Sequence, residues 1–189
     1  MFSLLSILLG YLLGSVPSSY LVGRLAGNTD MRTEGDGRIS AAAVYRRLGG
    51  FPFLAVVVMD VGLAVLAIRI ATVMSQTLEV ALATGLAVMV GHNWSIFLKF
   101  RGGLGATALY GALGALVLWQ FLIGLGIASL ALLVTRRPGL STAVGVIALS
   151  IILFIQGTAI VLVIFPLFLL SLMLIKRVQL HWTVRARLS

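Results

Sequence analysis

The sequence predicts an all-α fold, a polytopic membrane helix bundle with about seven transmembrane helices. Of its 189 residues, 60% are hydrophobic and only 10% are charged, whereas about a quarter of the residues in water-soluble domains are charged. The apolar residues occur in runs of about twenty, the length that an α-helix needs to cross a bilayer. They do not alternate with polar residues as they do in outer-membrane barrels. These observations exclude a soluble enzyme and a disordered chain.

Seven apolar runs define the predicted helices, which lie at 2–22, 51–74, 79–98, 104–118, 120–135, 140–156 and 158–175. The first run lacks the basic flank and the small-x-small cleavage site of a signal peptide, so we expect it to be retained as a helix. The shortest predicted turns are Trp119-Gln120 and Gln156-Gly157. The whole chain, 1–189, is predicted to form a single integral membrane domain.

Basic residues predict how the bundle is oriented. If the amino terminus lies outside, thirteen of the fourteen Lys and Arg residues face the cytoplasm, because they fall in 23–50, 99–103, 136–137 and 176–189. This is the bias expected of membrane proteins. A single helix over 104–135 would put Arg136 and Arg137 on the opposite side, so two short helices are favoured there. The carboxyl terminus is then cytoplasmic.

The net charge and the absence of cysteine limit the classes of partner and of active site that the chain can have. A net charge of +9 would suggest nucleic acid in a soluble protein, but here the basic residues mark one side of a bilayer. We therefore expect membrane lipids, and not nucleic acid, as partners. The sequence contains no cysteine, which excludes a thiolate nucleophile and a zinc–thiolate site, and no metal site is predicted.

Asp60 is the one carboxylate deep in the predicted helices. A buried carboxylate in a membrane is costly, so it should face the bundle and bond to a neighbouring helix. With Arg69 near a helix end as the only other candidate, the spans hold too few ionisable groups for an ion relay. This disfavours a small transporter.

Arginines in the first of two polar segments, Gly14 to Gly49, predict phosphate binding at the cytoplasmic face. The segment contains Arg32, Arg38 and Arg46, and its Gly35-Asp36-Gly37 sequence predicts turns that bring these arginines together. A guanidinium group pairs well with phosphate oxygens. The alternative is that the arginines only set the orientation and contact anionic lipid headgroups.

The second polar segment, Gly91 to Gly105, also predicts a phosphate site. Gly102, Gly103 and Gly105 precede a predicted helix, where backbone amides can converge on an anion. His92 is the only histidine in the transmembrane body, and an imidazole there could accept a hydroxyl proton or stabilise a phosphoryl oxygen. The alternative is a simple glycine turn between two helices.

Together the two segments resemble the bacterial acyl-phosphate:glycerol-3-phosphate acyltransferase family (PlsY), along nearly the whole chain. The first family motif reads roughly G-S-x-P-[ST]-x-Y, then D-x-R-x-x-G-S-G-N-x-G-A-T-N-x-x-R-x-x-G. The second reads G-H-x-x-x-x-F-x-x-F-x-G-G-K-G-x-A-T. The residues of this chain that match are Gly14, Ser15, Pro17, Ser18, Tyr20, Asp30, Arg32, Gly35, Gly37, Ala41, Arg46, Gly49, Gly91, His92, Phe97, Phe100, Gly102, Gly103 and Gly105.

Several positions depart from the family motifs. Asp36 stands where the family has a serine, Arg38 where it has an asparagine, and Leu104 where it has the lysine of the glycine loop. The third family motif, R-H-x-E-N, is hardly recognisable at 176–180. Of a further D-x-x-K-G motif only Asp60 survives.

The resemblance implies an activity. A fatty acyl group would pass from acyl phosphate to the 1-hydroxyl of glycerol 3-phosphate, giving lysophosphatidic acid for phospholipid biosynthesis. No cofactor is implied, the substrates are acyl phosphate and glycerol 3-phosphate, and the location is the bacterial inner membrane. The alternative is a catalytically impaired relative that binds lipid or acyl phosphate, or regulates an active partner.

The resemblance also assigns roles within the two segments. His92 is the predicted catalytic residue, and Asp36, by its position, is hypothesised to be the general base. A carboxylate about 4 Å from a phosphate costs about 4 kcal/mol unless a cation such as Arg38 neutralises it. The predicted substrate-binding residues are Arg46, Arg38, Arg32, Gly102, Gly103 and Gly105.

Overall fold

The structure is a computed structural model that describes residues 2–32 and 39–188, with side chains up to residue 182. All regular secondary structure within these residues is helical. A short 3-10 turn, Ile96–Leu98, follows the fifth helix. The helices are α1 Phe2–Ser15, α2 Ser18–Gly27, α3 Ala41–Leu48, α4 Gly50–Ser75, α5 Leu78–Asn93, α6 Ala106–Leu116, α7 Leu118–Thr135, α8 Pro138–Ile155 and α9 Ile160–Leu188.

Six helical stretches are long and apolar enough to cross a membrane: Phe2–Gly27, Gly50–Ser75, Leu78–Leu98, Leu118–Thr135, Pro138–Ile155 and Ile160–Trp182. The prediction of an all-α, multi-pass membrane protein is confirmed. The predicted division of 104–135 into two helices is also confirmed, because α6 ends at Leu116 and α7 begins at Leu118. Helix α6 has only 11 residues, so at ~1.5 Å per residue it is about half as long as the hydrocarbon core is thick.

The predicted first helix, 2–22, is wrong in one respect, because it is broken at Val16-Pro17. Proline has no N–H to continue the helix and disfavours helical geometry in the residue before it. After the break, α2 begins at Ser18 and ends at Gly27.

Two other boundaries differ from the prediction. The segment 23–50, predicted to connect the first two membrane helices, contains the short helix α3, and the turns predicted at Gly35-Asp36-Gly37 lie outside the described residues. Ser40 caps α3 by accepting a hydrogen bond from the N–H of Ala43 at 3.2 Å. The side chain of Val44, within α3, is fully buried. Helix α9 does not end at the predicted residue 175. It continues through the basic residues that follow the apolar run.

Glycines bring α1 and α5 into direct backbone contact. A Cβ atom on Gly14 would overlap the backbone of Val88, and one on Gly91 would overlap the carbonyl oxygen of Tyr11. Small residues are typical of such close approaches between membrane helices. This contact places the end of α1 beside the end of α5, where both polar segments begin.

Side-chain contacts show which turns share an end of the bundle. The Trp94 indole N–H donates to Gln179 Oε1 at 3.1 Å, and the Arg177 guanidinium lies against Gly139. The end of α5, the start of α8 and the basic part of α9 therefore lie at one end. At the other end, Gln120 Nε2 donates to Gln156 Oε1 at 2.7 Å. The basic segments thus cluster together, and the side of the membrane that they face stays a prediction.

Candidate active site

A cleft opens at the basic end of the bundle, where α1 ends, α2 starts, α5 ends and a glycine-containing loop leads into α6. The break at Pro17 and the close packing of α1 on α5 bring these four segments together. Its wall contains two of the sequence-predicted glycines and the predicted catalytic histidine. The lining residues are Gly14, Ser15, Val16, Pro17, Ser18, Ser19, Ile39, His92, Ser95, Leu98, Gly102 and Gly103.

His92 lies in the last turn of α5 with its side chain 15% exposed. Its Nε2 atom is 2.8 Å from the position that a Cβ on Gly103 would take, so this nitrogen faces the glycine loop. Its Nδ1 atom is 3.9 Å from Oδ1 of Asp60. A neutral imidazole has one donor and one acceptor nitrogen. The ring can therefore take a proton on the cleft side while its other nitrogen faces a carboxylate.

The glycine loop packs directly on the end of α5. The N–H of Gly102 donates to the carbonyl oxygen of Asn93 at 3.2 Å, and the N–H of Gly103 donates to that of His92 at 3.1 Å. These bonds satisfy carbonyls that a helix end otherwise leaves free. The expectation that these two amides converge on an anion is therefore not met in this structure, because both are already engaged. The glycines instead allow the loop to approach His92.

Gly105 lies just behind the cleft rather than in its wall. Its positive φ of +81° is a conformation that glycine adopts readily, and it starts α6. A Cβ there would collide with the side chains of Asn93 and Met89. Asn93 is fully buried, and its amide has no hydrogen-bond partner among the described residues. Gly105 thus fixes the direction in which α6 leaves the site.

Two buried serines line the cleft and are candidate hydrogen-bond donors to a ligand. Ser15 and Ser18 are 0% and 2% exposed, and neither hydroxyl oxygen has a hydrogen-bond partner among the described residues. Ser18 also opens α2, whose amino terminus carries partial positive charge. These serines belong to the first family motif, but the sequence did not predict them as site residues. The feature that could have indicated them is a run of hydroxyl side chains around a proline in an apolar stretch.

Arg32 is held beside the cleft by an ion pair. Its guanidinium lies 2.7 Å from Oδ2 of Asp30 and 4.8 Å from the centre of the Tyr20 ring. Hydrogen bonds from Arg32 hold the pKa of the Asp30 carboxyl well below its usual range. Asp30 therefore stays ionised and offsets part of the charge that Arg32 would bring to a phosphate.

Comparisons with known proteins show which family the chain belongs to. The model of the family described as glycerol-3-phosphate acyltransferase matches residues 4–186. The chain belongs to this acyltransferase family. One similar member is the glycerol-3-phosphate acyltransferase of Endomicrobium trichonymphae, 34% identical over 174 residues, which are 92% of this chain and 87% of that protein. Another, from Thermus thermophilus, is 33% identical over 188 residues, or 97% of this chain and 88% of that protein.

A solved structure has the same fold. It is a crystal structure of PlsY, an integral membrane glycerol 3-phosphate acyltransferase, in its glycerol 3-phosphate form. The TM-score is 0.84 at 24% identity, and the match covers 98% of this chain and 93% of that one. The resemblance predicted from the two polar segments is thereby confirmed at the level of family and fold.

Of the predicted arginines that the structure describes, neither Arg32 nor Arg46 lines the cleft of this acyltransferase-family chain. Arg32 lies in a neighbouring groove that shares Pro17 and Leu98 with the cleft. Arg46 lies in the last turn of α3 with its side chain exposed, and it lines neither space. Asp36 and Arg38 lie outside the described residues, so their assigned roles stay predictions.

A buried lysine in α9 is a feature that sequence reasoning missed. Lys176 is 2% exposed, and its Nζ atom lies 5.0 Å from the centre of the Trp94 ring. The same indole donates its N–H to Gln179. The segment that hardly resembles the third motif of the acyltransferase family therefore contacts the residue two positions after His92. Spacing in the sequence could not show this contact, because α5 and α9 are far apart along the chain.

Proposed function

We propose that this chain transfers a fatty acyl group from acyl phosphate to the 1-hydroxyl of glycerol 3-phosphate, in the bacterial inner membrane. The products are lysophosphatidic acid, a phospholipid precursor, and inorganic phosphate. One observation carries the proposal: in a member of the glycerol-3-phosphate acyltransferase family, His92 lines the same cleft as the glycine loop and as two serine hydroxyls that have no partner among the described residues.

The reaction makes modest chemical demands. The hydroxyl oxygen of glycerol 3-phosphate attacks the acyl carbonyl carbon, and the bond from that carbon to the phosphate oxygen breaks. The phosphate leaves with the bonding electrons, and the hydroxyl proton passes to Nε2 of His92 and then to the phosphate. Because acyl phosphate carries its own leaving group, the protein has to hold two phosphates close together and offset their repulsion.

The described residues offer suitable groups for binding one phosphate. The hydroxyls of Ser15 and Ser18 are donors without another partner among the described residues, and the first turn of α2 adds the positive end of a helix. Arg32 can serve the second phosphate from the neighbouring groove. Arg46 and Arg38 remain proposed substrate-binding residues, and Asp36 remains a proposed base, on the grounds of sequence alone.

A second candidate function is an impaired relative that binds acyl phosphate or lipid without turnover. Two observations favour it. Leu104 stands where the family has a lysine, and its side chain packs against the apolar core. The N–H groups of Gly102 and Gly103 are engaged within the protein. The loop therefore supplies less positive charge and fewer donors than the motif of the family.

Reconstitution tests the proposed function against the second candidate. The purified chain is placed in liposomes with palmitoyl phosphate and radiolabelled glycerol 3-phosphate, and lysophosphatidic acid is measured. We expect product with palmitoyl phosphate and none with palmitoyl-CoA. His92→Gln should abolish turnover, whereas the matched control His181→Gln, at an exposed position of α9, should not. Binding of palmitoyl phosphate without product would contradict the proposal and support the impaired relative.

A further inference from the structure

Asp60 has a buried carboxylate whose two oxygens face different partners. It lies in α4 and is 5% exposed. Its Oδ2 atom accepts a hydrogen bond from the Thr107 hydroxyl at 2.5 Å, and its Oδ1 atom lies 3.9 Å from Nδ1 of His92. Among the described residues, no Lys or Arg pairs with this carboxylate. An inter-helix contact alone explains the bond to Thr107 but not the approach to His92.

The surroundings of this pair are otherwise apolar. The space between Asp60 and His92 is lined by Leu13, Leu63, Val88 and Ala108. A carboxylate in such surroundings is costly unless it is hydrogen-bonded or paired. Thr107 satisfies one oxygen, and the imidazole is the one group in the lining that can satisfy the other.

We propose that Asp60 is a positioning residue that fixes the orientation and tautomer of His92 for the acyl transfer. The carboxylate keeps the proton on Nδ1, so that Nε2 faces Gly103 and the cleft as the acceptor. When Nε2 takes the substrate hydroxyl proton, the negative charge of Asp60 stabilises the imidazolium until that proton passes to the departing phosphate. The catalytic part of this role rests on the proposed function.

The proposal requires the contact between Asp60 and His92 to tighten during the reaction. At 3.9 Å the Nδ1 and Oδ1 atoms are about 1 Å farther apart than in a hydrogen bond. Catalytic hydrogen bonds are often long without substrate and shorten when it binds. Thr107 lies in the first turn of α6, directly after the glycine loop. A shift of the loop on substrate binding would therefore move the group that holds Asp60.

The test combines kinetics with an observation that needs no turnover. In a His181→Gln background, His92 is the only histidine, and its ¹⁵N NMR shifts report which nitrogen carries the proton. Asp60→Asn should reduce the population protonated on Nδ1 and lower kcat on the order of 100-fold, with little change in KM for glycerol 3-phosphate. Asp60→Glu, which restores the charge, should recover part of kcat.

A second pair of variants covers the case in which Asp60→Asn does not fold. Thr107→Val should lower kcat and alter the His92 shifts, whereas Thr107→Ser, which keeps the hydroxyl, should do neither. Thr84→Val is the matched control, because the buried Thr84 hydroxyl has no hydrogen-bond partner among the described residues. It should behave as wild type.

The outcomes separate the two proposals. The positioning role alone is overturned if the wild type forms product and a folded Asp60→Asn or Thr107→Val variant keeps both its kcat and its His92 shifts unchanged. If the wild type forms no product, the proposed function fails, and the catalytic role of Asp60 fails with it. The NMR shifts would still show in that case whether the carboxylate sets the tautomer.

Discussion

Gly103 controls the position of the imidazole at the scale of single residues. A methyl group on this residue would come within 2.8 Å of Nε2 of His92 and 2.9 Å of the Ile39 carbonyl oxygen. Gly103→Ala should therefore displace the ring, and a misplacement of about 1 Å can lower turnover on the order of 100-fold. The acyl transfer assay measures this loss. Gly126→Ala, where an added Cβ meets nothing within 4 Å, should keep wild-type turnover, and an equal loss in both variants would contradict the prediction.

Ser18 is expected to act through its hydroxyl. A hydrogen bond to a charged group contributes about 1.5–3 kcal/mol, so Ser18→Ala should raise KM for a phosphate substrate by at least about tenfold. Steady-state kinetics in liposomes measures the change. The control is Ser150→Ala, which removes another buried hydroxyl without a described partner, in α8 and away from the cleft. An unchanged KM in Ser18→Ala would remove this serine from the site.

Pro17 shapes the cleft at the scale of helices, because it separates α1 from α2. Pro17→Ala should allow the helix to continue through the break and draw Ser18 out of the cleft. We expect turnover to fall with no loss of thermal stability, as measured by the assay and by a melting curve in detergent. Pro166→Ala, which removes a proline from within the unbroken helix α9, is the control and should keep wild-type turnover. Full activity in Pro17→Ala would show that the break is not needed.

Individual helices show what a sequence can and cannot predict. The division between α6 and α7 was predictable, because Arg136 and Arg137 must lie on the same side as the other basic residues. The break at Pro17 was missed because the apolar run continues across it, and hydropathy does not register the lost N–H of proline. The engagement of the Gly102 and Gly103 amides was missed for a different reason, since it depends on carbonyls at the end of α5.

Contacts between residues on different helices could not be predicted from the sequence. His92 was predictable from its isolation in an apolar body and from the motif around it. Its contact with Asp60 was not, because the residues lie on different helices and Asp60 also fits a simple inter-helix bond. The same holds for Lys176, whose position over Trp94 depends on how α9 packs against α5.

Chemical labelling can test which side of the membrane each end of the molecule faces. Because the sequence contains no cysteine, single cysteines can be introduced and labelled with a maleimide that does not cross membranes. With the basic end facing the cytoplasm, Gln156→Cys should react in intact cells, and Arg137→Cys should react only after the cells are opened. Reaction of Arg137→Cys in intact cells would contradict the predicted orientation.

The central claim for the molecule is that substrate phosphate binds in the cleft beside His92. Solid-state NMR measures this most directly, as the dipolar coupling between the ³¹P of bound glycerol 3-phosphate and ¹⁵N-labelled His92 in the His181→Gln chain in liposomes. We predict a measurable coupling, because a ring that hydrogen-bonds the 1-hydroxyl at about 3 Å also lies close to the phosphate of the same small molecule. Bound glycerol 3-phosphate without any coupling to His92 would contradict the claim.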